Sequence, residues 1–141
     1  MGRDTEMALV NLQAALQLWS WSALGRLRCA EQAIIDIPAL EPYALAATAE
    51  VCRLLDDIEA AAEKIGWPLR GPRNIDNSRG LEDTAEPHAV ALQCVTVAVE
   101  ALEAVAEKAD GSPFEVQARA ALHESRRLLA EVERAAPPAR F

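Results

Sequence analysis

Where proline falls constrains this chain more than any other feature of its sequence. The eight prolines of the 141 residues stand at positions 38, 42, 68, 72, 87, 113, 137 and 138. A proline inside a helix removes a hydrogen bond and clashes with the preceding turn, but at the first helical position it costs nothing. The four long proline-free intervals left between them each carry apolar residues at spacings of three and four, the signature of one helix face. The sequence therefore predicts an all-α fold, an antiparallel four-helix bundle in a single domain over residues 1–141, with a long loop between helices two and three.

The expected helices cover about 4–36, 42–65, 86–109 and 113–135, leaving a loop at 66–82 and a tail at 136–141. Asp4 is the natural N-cap of the first, whose inner face reads Leu9, Leu12, Leu16, Trp19, Ala23, Leu27, Ala30 and Ile34. Ile37 precedes Pro38, and a pre-proline residue is pushed out of the α region, so this helix ends near Asp36. It is long enough that a break at Ser22 to Gly25 is compatible with the sequence. Pro42 opens the second helix and Gly66-Trp67-Pro68 closes it. The run Asp83-Thr84-Ala85-Glu86-Pro87 offers the third a capping box and a proline start, and Pro113 opens the fourth.

Two helices carry more apolar surface than one core face needs. On the third, a narrow polar stripe of Gln93, Thr96, Glu100, Glu103 and Glu107 separates two apolar flanks, so it packs on two sides. On the first, Val10, Ala14, Leu18 and Trp21 form a row beside the core stripe, which either lies beneath the long loop or pairs with a second subunit. A homodimer is the expectation.

Charge separates the loop from the helices. The chain carries a formal net charge of -8, yet residues 66–80 sum to +2 through Arg70, Arg73 and Arg79 against Asp76. A connection longer than about twelve residues is unusual between packed helices, and Trp67 leads into it. Trp67, Arg70, Arg73 and Arg79, with Trp21 on the first helix, are accordingly the candidate residues for binding a partner or ligand. An acidic chain without a basic stripe does not suit nucleic acid, whose binding is driven by cations released from phosphates. No charged residue occurs from Met7 to Gly25, but Asn11, Gln13, Gln17, Ser20 and Ser22 in that stretch argue against a membrane span. Acidic residues where a signal peptide has its basic region, and three cysteines in no paired pattern, point to the cytoplasm. The wealth of Ala, Arg and Glu suggests a bacterial source.

Catalytic and metal-binding patterns are not found. Di-iron bundles use Glu-x-x-His pairs, whereas Ala85 and Ala120 stand three before His88 and His123. Asp56-Asp57, Glu59 with Glu63, and Glu100 with Glu103 and Glu107 read as solvated faces rather than a magnesium site. Arg119-Ala-Ala-Leu-His123 resembles the Arg–His pairing of HEPN-type ribonucleases in those two residues only. That family places at least four residues between them and a polar residue beside the arginine; both are missing, and i,i+4 surface spacing accounts for the pair. No cofactor is expected. The sequence best suits a non-catalytic interaction or regulatory protein, of adaptor or toxin-neutralising type, that binds another protein, preferably a basic one. A bundle binding a small apolar ligand in a tryptophan-lined pocket is the alternative, and a metal-independent enzyme comes third.

Overall fold

The computed structural model describes residues 3–66 and 86–135, with side chains from Met7 onward. Within them the chain forms α1 (Arg3–Ala33), a single 3-10 turn (Pro38–Leu40), α2 (Glu41–Lys64), α3 (Pro87–Ala109) and α4 (Glu115–Arg134). Pro38 starts the 3-10 turn, and Pro42 and Pro87 lie in the first turns of α2 and α3, whereas Pro113 stands in the turn before α4, which opens at Glu115 and not at the proline. Gly66 and Gly111 follow the ends of α2 and α3 with φ of 77° and 75°. That left-handed conformation is open to glycine at no steric cost and lets the chain leave a helix abruptly. Two local expectations on α1 are also corrected. α1 begins at Arg3, so Asp4 lies inside the helix rather than capping it, and α1 runs through Ser22 to Gly25 without a break. The tail at 136–141 and most of the 66–82 loop lie outside the described residues.

Each helix packs on two others. α1 lies against α2 and α3, and α4 against the same two, while the α1/α4 and α2/α3 pairs are diagonal. Leu16, Leu54, Ile58, Val105 and Phe114 meet in one core cluster, which places the N-terminal half of α1 with the C-terminal halves of α2 and α3. The other ends join a second cluster that includes Ile34, Ala44, Cys94 and Val132. All neighbouring helices are thus antiparallel, and α2 and α3 run in the same direction. Gly66 and Glu86 therefore stand at opposite ends of the bundle, about 35 Å apart along its axis at ~1.5 Å per residue. This topology explains why a two-to-eight-residue hairpin connection could not serve between α2 and α3.

Alanine is the main small residue of the interior: Ala23, Ala47, Ala98, Ala118 and Ala121 are fully buried beside Leu27, Leu55, Leu102 and Leu128. Such alternation of small and large side chains lets neighbouring helices interdigitate at close range. α3 is long and apolar enough to cross a membrane by length and composition, but nine of its residues are buried in the bundle, so its apolar flanks serve the core. Cys29 and Cys94 are buried, Cys52 is half-buried, and all three are free thiols.

Polar contacts fasten the helix ends. The Gln117 amide donates to both the carbonyl oxygen (3.0 Å) and a carboxylate oxygen (2.7 Å) of Glu50, tying α4 to α2, and the Arg127 guanidinium lies 5.6 Å from the Tyr43 ring centre across the same interface. His88 Nε2 approaches the Val132 carbonyl oxygen at 2.6 Å. A carbonyl can only accept, so Nε2 carries the hydrogen and satisfies a carbonyl in the last turn of α4, which the helix itself leaves free. Replacing His88 by alanine is expected to cost about 1 kcal/mol, read from urea denaturation, and to raise hydrogen exchange at both the start of α3 and the end of α4. Faster exchange at α3 alone would show that the bond does not hold α4.

Candidate functional site

Of the five candidate binding residues, Trp67, Arg70, Arg73 and Arg79 lie outside the described residues. Trp21 is half-buried against the larger core cluster, with its indole Nε1–H enclosed and without a hydrogen-bond partner. On α1 the predicted inner face is buried at Leu16, Ala23, Leu27, Ala30 and Ile34, with one departure. Trp19, expected in the core, is 42% exposed. Gln13, Gln17 and Ser20 are buried instead, alongside Leu16, Leu24 and Leu27. The buried arc of α1 faces both α3 and α2, and on the α2 side Gln17 donates to Glu59 (3.5 Å) and Thr48 donates to Glu31.

The face of α1 away from these two neighbours lies in solvent. Met7 is 45% and Leu18 66% exposed, and Asn11, Ala14 and Ser22 are exposed with them. Val10 and Trp21, from the surplus row, are half-buried, while Ala14 and Leu18 of the same row are open. Met7, Asn11, Ala14 and Leu18 follow one another at steps of four, three and four, the spacing of a coiled-coil seam. The stretch bears no charge, whereas α2 and α3 expose Asp56, Asp57, Glu63, Glu100 and Glu107.

Two concavities lie elsewhere. The first, about 220 Å³, sits in the corner where α1 turns into α2, with Ile34, Ile35, Pro38, Ala44 and Leu45 as apolar lining and Glu31, Gln32 and Glu41 as polar lining. The second, about 650 Å³, is a groove between α3 and α4 with Ala106 and Leu122 as its apolar lining. Its polar lining is Glu107 of α3 and Asp110 just past the end of that helix on one side, and Arg126, His123 and Arg119 of α4 on the other. Arg126 meets Glu103 at 3.7 Å and Arg119 meets Asp110 at 3.4 Å, with Glu107 and His123 lining the groove between these two contacts. Arg119 also reaches Glu115 at 3.2 Å, four residues back on its own helix. Both guanidiniums are thus engaged by carboxylates, and exposed pairs of this kind are each worth about 0–1 kcal/mol. The groove reads as a ladder joining two helices, with no positive charge left over to clamp a phosphate.

Neither concavity is lined by Trp19 or Trp21. Among the described residues no three His, Cys, Asp or Glu side chains come together as a metal site. Sequence reasoning missed the corner cavity, whose only advance signal was the pair of isoleucines, Ile34 and Ile35, just before the turn: one of them had to face outward. No family model, no curated protein and no solved structure matches this chain.

Proposed function

We propose that this chain is a non-catalytic interaction protein, of adaptor or toxin-neutralising type, that acts in the bacterial cytoplasm as a homodimer and engages another protein. One observation carries the reading: a chain of net charge -8 turns an uncharged, partly apolar helix face to solvent along α1. Exposed apolar rows on soluble domains mark contact surfaces. Two acidic copies repel each other over most of their surfaces, and the α1 face is where they can meet without opposing like charges. Ala14 allows close approach there, and a polar residue at a seam position, as Asn11 is, fixes register between paired helices. The small-ligand alternative draws no comparable support, because the larger concavity is walled by paired charges and the smaller is below the roughly 300–1,000 Å³ of drug-sized sites.

A photo-crosslinking residue placed at position 18 in cells tests the reading, with position 130 on the exposed side of α4 as control. Position 18 is expected to give a discrete product at twice the chain mass, and position 130 none. A product with a different protein would keep the interaction reading and remove the homodimer. No product at position 18 would overturn both.

A further inference from the structure

The corner between α1 and α2 combines features that a basic side chain would satisfy, and we propose that it receives an arginine or lysine of a protein partner. This inference rests on the interaction reading above and names the chemistry of the partner. Ile35 and Leu45 are 71% and 53% exposed, two of the most open large apolar residues among those described, and both line this one cavity with Pro38 between them. Apolar surface of that size is suited to a long aliphatic stem. The same cavity carries two carboxylates, Glu31 and Glu41, and no cationic side chain. A stem that is apolar and a head that is cationic describes lysine and arginine and no other side chain.

Helix electrostatics point the same way. The last turn of α1 holds no basic residue, so its own helix does not offset the partial negative charge of its free carbonyls. The opposing positive end of α2 is already met by Glu41 in its first turn. Among the described residues, no cationic side chain lines this corner. Its volume of about 220 Å³ admits a single side chain and is too small for the roughly 300–1,000 Å³ typical of a bound cofactor or drug-sized ligand. The Glu31 carboxylate is held in place by the Thr48 hydroxyl, so the site is ordered before a partner arrives. The acidic stripe of α3 does not offer this combination: Glu103 is engaged by Arg126 and no exposed apolar pair stands beside it.

The test uses two blocked pentapeptides, Ala-Leu-Arg-Leu-Ala and the same peptide with citrulline in place of arginine, titrated into the full chain and followed by amide chemical shifts. Citrulline keeps the shape of arginine and removes its charge. The arginine peptide is expected to move the amides of Ile35, Ala44 and Leu45 in a saturable way and to bind about tenfold more tightly than the citrulline peptide. The double variant Glu31→Gln with Glu41→Gln is expected to abolish that preference while leaving the helical circular dichroism unchanged, and Leu45→Ser to weaken both peptides. Equal binding of the two peptides, shifts confined to Glu100–Glu107, or no saturable shift would each overturn the inference. The crosslink at position 18 is independent of this corner, so its success beside a negative titration would reject the corner and keep the interaction reading.

Discussion

Replacing Leu102 by alanine is expected to lower the stability of this protein by about 2–5 kcal/mol, the range for removing a fully enclosed leucine from a core. Leu102 lies on α3, is wholly buried, and belongs to the larger cluster with residues of all four helices. Its loss leaves a void that rigid helices on either side cannot close, because α3 is held between α1 and α4. Against the roughly 5–15 kcal/mol that separates folded from unfolded domains, such a change is severe. The melting temperature should fall by roughly 5–20 °C at about 2–4 °C per kcal/mol. Val116, 79% exposed on α4, is the control: Val116→Ala should change stability by less than about 0.5 kcal/mol. Urea denaturation of both variants measures this, and a loss below about 1 kcal/mol at Leu102 would mean that the middle of α3 is not packed as described.

The elements of the fold were legible because the punctuation is chemical. Proline cannot continue a helix and glycine can leave one, so Pro42, Pro87, Gly66 and Gly111 mark helix limits whatever the tertiary structure. The order of packing was not legible. Whether α3 lies beside α2 or diagonal to it depends on the connection between them, and a long connection reads alike as a functional loop or as a crossing from one end of the bundle to the other. The shared clusters at the two ends decide for the crossing. The basic character of that segment remains unexplained by topology, since spanning the bundle requires length and not arginine.

The candidate site was less legible, for a reason visible on α1. Reading a helix by its apolar residues finds the core face only when the core is apolar. On α1 the row through Trp19 is richer in apolar residues, yet the buried arc is centred nearer Gln17, Ser20 and Leu24. Packing against two neighbours widens the buried arc until it takes in polar residues; α2 supplies Gln17 with a partner in Glu59, while Gln13 and Ser20 are enclosed without one. Trp19 is the residue of the predicted stripe that this shift turns outward. The rest of the predicted stripe from Leu16 to Ile34 is buried, and the exposed Ala14 and Leu18 belong to the second row that the sequence set apart from the core.

Gln13 turns that observation into a measurement with an unusual sign. It is 1% exposed, and neither its Nε2 nor its Oε1 has a hydrogen-bond partner. A buried polar group left unpaired costs about 1–3 kcal/mol, while methionine has nearly the same unbranched shape and adapts to an existing space. Gln13→Met should therefore stabilise the chain by about 1–2 kcal/mol after allowing for imperfect fit, raising the melting temperature by roughly 2–8 °C. One turn further on, Gln17 is also buried but donates to Glu59. Gln17→Met should cost about 1 kcal/mol, because a half-buried carboxylate then loses a donor. The same substitution at two buried glutamines four residues apart is thus expected to have opposite effects. A gain at both positions would mean that the Gln17–Glu59 contact contributes nothing. A loss at both would mean that the Gln13 amide is satisfied within the free chain, by an enclosed water or a neighbouring polar group, and that it stabilises the α1 interface as Gln17 does.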